Sequence, residues 1–201
     1  MVLMEENKEK AILAAAEQEF LEKGFDGART VSIAERAGVT HAMLHYYYRT
    51  KEQLFQKIMD EKMQVFSSSV INALGDAGKP LLERLESGIR NHFDFLAANP
   101  ALPSFIVREI GKRDIGVVEI IKEKALPILV QTQKDLDGLA DEGKIVRIDA
   151  INLLLDIVSQ NVFPFIVHPI AKDVWGQEKT DEVMSRIKEE NVTIIMKRLA
   201  I

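Results

Sequence analysis

The chain has 201 residues, of which 47% are hydrophobic and 28% are charged, as in a globular protein of one large domain or two small ones. It contains no cysteine, which excludes disulfide scaffolds, thiolate zinc sites and cysteine nucleophiles. The acidic, polar start is unlike a signal peptide, and the most apolar stretch, residues 157–167, is too short to span a bilayer. We therefore expect a soluble cytoplasmic protein with no membrane partner.

The net charge of −5 is unevenly distributed along the chain. Residues 25–51 hold four basic and two acidic residues, whereas the part that follows is acidic on balance. A basic head on an acidic body is compatible with a DNA-binding module that carries a separate partner domain. Because the asymmetry is small, it permits DNA binding without requiring it.

Apolar residues recur with helical spacing, and no stretch shows the sustained alternation of a strand, so we predict an all-α fold of about nine helices. The first helix is expected to be capped by Asn7. A second, short helix begins at Thr30 or Ser32 and stops at Gly38, and a third is capped by Thr40.

The later helices are also bounded by recognisable signals. They are predicted at about residues 50–74, 81–98, 104–112, 117–141, 150–167 and 180–199. Thr50 and Gln53 form a capping box at the start of the first of these. Pro127 should kink or break the helical run over 117–141, since a proline inside a helix removes a hydrogen bond. A polar loop is expected over 171–180, with Thr180 as the cap of the last helix.

Residues 30–51 have the spacing of a helix-turn-helix. Ile33 and Ala37 would pack the second helix, Gly38 would allow the turn, and Leu44 would anchor the third helix. Four residues at the start of that third helix then point outward: Thr40, His41, Ala42 and His45. A recognition helix uses these positions to reach base edges in the major groove of DNA.

The same region resembles the DNA-binding domain of the tetracycline-repressor (TetR) family of bacterial regulators. The matching residues are Phe20, Leu21, Gly24-Phe25, Thr30, Ile33-Ala34, Ala37-Gly38-Val39, Leu44, Tyr47-Tyr48 and residues 51–54. The chain departs from the family at Met43, His45 and Tyr48, where Ser or Thr, Tyr and Phe are usual. The resemblance implies a helix-turn-helix domain over residues 1–50 and a helical effector-binding and dimerisation domain over 51–201.

The resemblance also implies roles for individual residues. Bases would be read by Thr40, His41, Ala42 and His45, and phosphates would be held by Thr30, Tyr47 and Lys51, with Arg29 and Arg49 as helpers. Lys51 precedes or begins a helix, where free backbone N–H groups favour a phosphate. Phosphate contacts set the register of the protein on DNA, and base contacts set the sequence that it reads.

Other interpretations of these residues stay open. His41 and His45 are four residues apart and could bind a metal on one helix face, although no third ligand stands near them in the sequence. Thr30 could serve only as a helix cap, and Tyr48 could serve only in packing. Arg36 is expected at the solvated surface, away from the groove.

The helix predicted over 150–167 is apolar on most of its circumference and must be buried from several sides. It could lie at the centre of a monomer or at an interface between subunits. We favour a homodimer interface built with the last helix, because helix-turn-helix proteins read paired half-sites; the resemblance implies the same. Its one polar stripe, which is either the solvent side or a set of ligand anchors, comprises Asn152, Asp156, Ser159 and Gln160.

By the same resemblance, an effector cavity would lie among the helices of the second domain. The candidate lining residues, each of which could instead be plain core, are Phe93, Phe105, Arg108, Leu126, Ile128, Gln131, Asn161 and Phe163. The apolar excess of this region suggests a small hydrophobic or amphipathic effector.

These observations predict a ligand-responsive transcriptional regulator, a repressor that leaves a palindromic operator when its effector binds. The alternative is an architectural DNA-binding protein with the same head and no sensing function. An enzyme is poorly supported, because the sequence offers no nucleophile–base pair, glycine-rich phosphate loop or metal cluster. We therefore expect neither catalytic residues nor a cofactor.

Overall fold

The computed structural model describes residues 2–76, 78–110 and 121–201. Every regular element in these ranges is helical, which confirms the all-α prediction. The α-helices are α1 (Val2–Gly27), α2 (Thr30–Arg36), α3 (His41–Tyr47), α4 (Lys51–Gly75), α5 (Leu81–Ala98), α6 (Leu102–Ile110), α7 (Leu126–Asp141), α8 (Ala150–Trp175) and α9 (Gln177–Leu199). A turn of π-helix, Ile121–Ala125, leads into α7.

The chain divides into two compact units. The first, which we call the head, comprises residues 1–64 and 105–117, and the second, the body, comprises 65–104 and 118–201. The sequence predicted a boundary at residue 50. The boundary lies further along because the first part of α4 buries Leu54, Phe55 and Ile58, and residues of α6 also belong to the head.

The core of the head is rich in aromatic rings. Phe55 stands edge-on to Phe20 and Phe25, with ring centroids 5.2 and 5.0 Å apart, and Phe105 lies 5.8 Å from Phe55. Such pairs contribute about 0.5–1.5 kcal/mol beyond the apolar area that they bury. The fully buried aliphatic side chains around them include Ile12, Ile33, Leu44 and Leu54. This core holds the short helices α2 and α3 against α1 and α4.

The turn between α2 and α3 is closed by backbone hydrogen bonds. The N–H of Val39 donates to the carbonyl of Ala34 (3.0 Å), and the N–H of Gly38 donates to that of Glu35 (3.1 Å). This pattern requires a left-handed residue at the end of α2, and Gly38 has φ of 66°. A side chain here would strain the backbone, so the predicted turn at Gly38 is confirmed together with its cause.

The body has an aliphatic core to which α5, α7, α8 and α9 all contribute. Its buried members are Leu81, Leu85, Ile89, Leu136, Ile145, Ala150, Leu153, Val192, Ile195 and Leu199. The segment between α7 and α8 is also tied to the end of α9, since the N–H of Val146 donates to the carbonyl of Leu199 (3.0 Å). The last helix is therefore an integral part of the body.

Several predicted boundaries were wrong. α1 already begins at Val2, so Asn7 lies inside the helix and does not cap it. The interruption expected at Pro127, by contrast, is present, because this proline lies in the first turn of α7, directly after the π-helical turn Ile121–Ala125. The expected loop over 171–180 is helical except at Gly176, which separates α8 from α9. Residues 111–120, which contain the predicted end of one helix and start of the next, lie outside the described residues.

The helix α8 is longer and more exposed than its apolar sequence led us to expect. It has 26 residues, whereas the uninterrupted apolar stretch noted in the sequence has 11. Among the described residues it is the one helix long and apolar enough to cross a membrane, with a mean hydropathy of 1.6 over 18 residues, of which 22% are buried. The core of the body therefore leaves much apolar surface of α8 uncovered.

Candidate nucleic-acid interface

The short helix α3 presents a polar face to solvent. Leu44 is its buried residue, at 1% exposure, and anchors it to the core of the head. The hydroxyl oxygen of Thr40 accepts the backbone N–H of Met43 (3.2 Å), which confirms Thr40 as the cap of this helix. The four residues predicted to face bases are all exposed: Thr40, His41, Ala42 and His45. The structure thus brings them together at the start of one helix.

His41 and His45 form a contact pair on that face. Their rings are perpendicular, with centroids 4.4 Å apart. The hydroxyl of Thr30 lies 3.0 Å from Nε2 of His41, which links α2 to α3. Nδ1 of His45 lies 3.3 Å from the carbonyl oxygen of Arg49 and donates to it, so the other ring nitrogen of His45 faces outward. The described residues contain no group of three side chains that could hold a metal ion here.

The residues predicted to hold phosphates differ in their surroundings. Arg29 and Arg49 are exposed, whereas Thr30 and Tyr47 are half-buried. The backbone N–H of Arg29 lies 3.4 Å from Oε1 of the buried Glu19, which leaves its guanidinium group out of that contact. These four residues remain predicted phosphate ligands.

Lys51 has a structural partner that the sequence did not reveal. Its ammonium group donates to the carbonyls of Phe25 (2.8 Å) and Ala28 (3.1 Å), at the end of α1, and lies 4.5 Å from the centre of the Phe25 ring. An ammonium group has three donors, so one remains for a phosphate. Lys51 therefore joins α4 to the end of α1 whether or not it also contacts DNA.

Arg36 is held by acidic residues of α1. Its guanidinium group donates to both carboxylate oxygens of Glu22 (3.0 and 2.9 Å), to Gln18 (3.2 Å) and to the buried Glu19 (3.4 Å). The hydrogen bond from Arg36 holds the pKa of Glu22 below its usual value. Glu19 also accepts from Lys23 at 2.7 Å, so this carboxylate, which sequence reasoning missed, joins α1 to α2.

A chain of buried polar side chains crosses the body. Nδ2 of Asn161 donates to the carbonyl of Ile89 (3.0 Å) and lies 3.3 Å from Nδ1 of His92. Oδ1 of Asn161 accepts from Nδ2 of Asn191 (2.9 Å). Because the Ile89 carbonyl can only accept, the amide of Asn161 is oriented with its NH₂ toward His92, whose Nδ1 must then be an acceptor. Burial lowers the pKa of His92 to about 4, so the ring stays neutral near pH 7.

One of these buried polar side chains also supplies a hydrogen bond that the backbone of α8 lacks. The carbonyl of Gln160 would normally accept the N–H of residue 164, but that residue is Pro164, which has none. Nδ2 of Asn191 lies 3.0 Å from the Gln160 carbonyl and supplies the missing donor. Asn191, which interrupts the apolar face of α9 in the sequence, is thus explained by a proline on the neighbouring helix.

The residues predicted to line an effector cavity are divided between the two units. Two of them, Phe105 and Arg108, belong to the head. Phe105 packs against Phe55, and Arg108 donates to the carbonyls of Phe20 (3.4 Å) and Leu21 (3.2 Å). These contacts give both residues a part in the packing of the head.

The other candidates lie in the body, where two of them, Phe93 and Asn161, are buried. Phe93 packs 5.0 Å from Phe165, next to the chain that includes Asn161. The remaining four are partly or largely exposed: Leu126 and Phe163, at 50% and 62%, with Gln131 and the half-buried Ile128. The Gln131 side chain donates to Asp135 (2.8 Å). The effector assignments therefore remain predictions, and Phe93 and Asn161 are the two candidates of the body whose side chains are buried.

Comparison with known proteins relates the whole chain to bacterial regulators. The profile of the family "Bacterial regulatory proteins, tetR family" matches residues 12–58, which contain α2, α3 and their turn. The HTH-type transcriptional regulator RutR of Escherichia coli K12 is 25% identical over 189 residues, 94% of this chain and 88% of RutR. The fatty acid metabolism regulator protein of Bacillus subtilis 168 is 26% identical over 174 residues, 86% of each chain.

A solved structure shares the fold over nearly its full length. AibR, crystallised with isovaleryl coenzyme A and operator DNA, superposes with a TM-score of 0.68 at 22% sequence identity. The match covers 93% of this chain and 97% of AibR. The likeness therefore extends beyond the residues of the family profile to the body.

Proposed function

Because the chain belongs to the TetR family of DNA-binding transcriptional regulators, we propose that it is a cytoplasmic, ligand-responsive repressor. In this proposal two copies form a homodimer, and α3 of each copy reads one half of a palindromic operator. The observation that carries it is the start of α3, where Leu44 is buried and Thr40, His41 and His45 are exposed. A helix held by one apolar anchor with its polar N-terminal residues exposed is suited to the major groove.

The uncovered apolar face of α8 supports the dimer. Its exposed side chains, together with one from α9, are Ile151, Leu155, Phe163, Ile170, Val174 and Ile194. Those on α8 follow one another at intervals of four, eight, seven and four residues, so they lie on one side of the helix. A second copy of the same surface is the usual partner for such a stripe, since most oligomers have two-fold symmetry.

The effector that we propose carries an acyl chain. The support comes from the apolar excess of the body and from two relatives, a regulator of fatty acid metabolism and AibR, whose structure contains isovaleryl coenzyme A. Isovaleryl coenzyme A and a long-chain acyl coenzyme A are therefore the first probes. Binding is measured by titration calorimetry and by release of the protein from its duplex.

Release from DNA would follow from a two-state equilibrium. Half-sites on one face of DNA require recognition helices separated by about 34–36 Å or a multiple of that distance. An effector that binds better to a dimer with another separation shifts the population away from the DNA-binding state. Coupling of this kind amounts to about 1–3 kcal/mol, or 5–150-fold in affinity. The helix α4, which contains residues of both head and body, would transmit the change.

Selection from a pool of random DNA duplexes tests the proposal. An enriched inverted repeat is the expected result, and effectors are then added to the selected duplex. Retention of duplexes without a consensus would favour the architectural protein instead, with a steep dependence on salt. The His45→Ala variant should relax the preference at one position of each half-site, whereas Arg49→Ala should weaken binding to all sequences alike. Uniform weakening by both variants would remove His45 from base reading.

The dimer has a test of its own. Phe163→Glu places a charge on the uncovered stripe and should shift the protein to monomers in analytical ultracentrifugation. Val130→Glu, at an exposed apolar residue of α7, is the matched control and should leave the dimer intact. If both variants sediment as the wild type does, the stripe is not the interface. Recovery of the wild type with membranes would instead make α8 a membrane-binding helix.

A further inference from the structure

A cleft of about 370 Å³ lies in the head beside α3. Its lining residues are Lys8 from α1 and Thr40, Ala42, Met43, Tyr46 and Tyr47 from α3 and its cap. Two of these, Thr40 and Ala42, also belong to the face predicted to read bases. Lys8 and Tyr46 had no predicted part in DNA binding. The cleft is therefore continuous with the reading face but extends away from it toward α1.

The lining combines hydrogen-bond donors with apolar walls. The hydroxyl oxygen of Thr40 accepts the Met43 N–H, so its own O–H remains free to donate. The Tyr46 hydroxyl adds a further donor, and the Tyr46 ring stands edge-on to Tyr47 with 5.5 Å between centroids. Met43 and the ring faces provide the apolar wall. Such a lining suits a ligand with an anionic end and a less polar body.

Lys8 brings the positive charge to this lining. It is half-buried, and it forms no ion pair with the carboxylates whose side chains the structure describes. Lys62 of the head, by contrast, is paired with Glu17 at 2.8 Å. The charge of Lys8 is thus available to an anion in the cleft. The volume is at the lower end of ligand pockets, so there is room for one small unit.

We propose that the cleft holds one phosphate and its deoxyribose from the DNA backbone, with Lys8 as the cation that faces the phosphate. This proposal rests on DNA binding by α3 as set out above. It adds a contact from α1, outside the helix-turn-helix, and extends the footprint of each head to the flank of its half-site. Since the contact is to the backbone, it strengthens binding to every sequence equally.

The salt dependence of DNA binding tests the contact. Lys8→Gln removes one charge from the cleft, and Lys57→Gln is the matched control, because Lys57 is exposed on α4 and paired with Glu61. One lost phosphate contact lowers the slope of log K against log salt by about 0.9. A dimer loses two such contacts, one in each head, so its slope should fall by about 1.8, and the affinity ratio of wild type to Lys8→Gln should be about twelvefold larger at 50 mM salt than at 200 mM. The Lys57→Gln slope should equal that of the wild type.

A second measurement locates the phosphate. Duplexes with one methylphosphonate at successive backbone positions are bound to the wild type and to Lys8→Gln. At one flanking position in each half-site, neutralisation should weaken the wild type and leave Lys8→Gln unaffected. Equal salt slopes, or the absence of any such position, would overturn the proposal while leaving the repressor function intact. Failure of the wild type to bind any duplex would overturn both the Lys8 contact and the repressor function. Thermal unfolding of the wild type and the two variants is the control, since equal midpoints exclude misfolding as the cause of weaker binding.

Discussion

Head and body are held together by different chemistry. In the head, rings pack against rings, as Phe55 does against Phe20 and Phe25. In the body, the aliphatic core is crossed by amide and imidazole groups that join α5, α8 and α9 through Asn161 and Asn191. Apolar packing tolerates small shifts in geometry, whereas buried polar groups are costly unless each finds its partner. In the body these amide and imidazole groups therefore specify which helices meet, as the buried Glu19 does for α1 and α2 of the head.

The surfaces of the two units also differ: the exposed side chains are polar on one helix of the head and apolar on one helix of the body. The short α3 of the head shows polar side chains to solvent, and the long α8 of the body shows apolar ones. A polar face suits hydrated, charged DNA, and an apolar stripe suits a second protein surface. The same contrast supports the proposal that the head reads DNA and the body forms the dimer.

The largest effect is expected in the aromatic core. Phe20→Ala removes a ring that is 2% exposed and should lower the free energy of unfolding by about 3–5 kcal/mol in urea titrations followed by circular dichroism. Tyr46→Ala, at a residue that is 79% exposed, should stay within about 0.5 kcal/mol of the wild type. Equal effects of the two substitutions would show that the head does not depend on its rings.

The second-largest effect is expected in the body, on removal of the side-chain amide of Asn191, which is a hydrogen-bond donor. Asn191→Ala leaves the Gln160 carbonyl and Oδ1 of Asn161 without this partner, which should cost about 2–4 kcal/mol. Asn152→Ala, the same change at an exposed residue of α8, is the control and should be close to neutral. If Asn191→Ala lowers the free energy of unfolding no more than Asn152→Ala does, the buried hydrogen bonds of Asn191 do not stabilise the body.

The third effect depends on pH. With the pKa of His92 lowered from 6.5 to about 4, the unfolded chain takes up a proton between these values that the folded chain does not. Stability from this group is therefore complete above about pH 6.5 and is lost as the pH falls toward 4, by up to about 3 kcal/mol. The measurement is urea unfolding from pH 7.5 to 4. His92→Gln should flatten this part of the profile, and an unchanged profile would assign the loss to other groups.

The smallest effect is local to one helix end. The hydroxyl oxygen of Thr50 accepts the N–H of Gln53 (3.1 Å) at the start of α4. Thr50→Ala should cost about 1 kcal/mol in thermal or urea unfolding, as other threonine caps do. Thr193→Ala makes the same change in the interior of α9 and should cost less, since Ala favours a helix interior over Thr. A larger loss at Thr193 than at Thr50 would contradict the capping role.

The parts of the head that could be predicted are those set by neighbours in sequence. Gly38, Thr40 and Thr50 act on groups within five residues of themselves, and their roles are visible in the spacing of residue types. Lys51 was predicted only as a phosphate ligand, because its carbonyl partners at Phe25 and Ala28 lie 26 and 23 residues away. The sequence around a lysine at a helix start does not indicate whether its ammonium group binds a phosphate or distant backbone carbonyls.

Predictions for the body were weaker because the contacts that set the roles of its residues join positions far apart in the sequence. Phe105 and Arg108 are predicted to line an effector cavity, and the sequence contained no sign that α6 also packs them into the head. Asn191 was noted only as a polar interruption, and the proline that explains it is on another helix. Each of these outcomes depends on which helices meet, and helical periodicity alone does not specify that.

By itself the amino-acid sequence determined that the chain is all-helical, where the helix-turn-helix lies, and which side chains α3 leaves to solvent. These follow from hydrogen bonds and apolar spacing within one or two turns of helix. Only the tertiary structure decided that Lys51 caps α1, that His92 is buried neutral beside Asn161, and that Lys8 shares a cleft with α3. Those features join residues far apart in sequence, and their energies arise only when packing removes both partners from water.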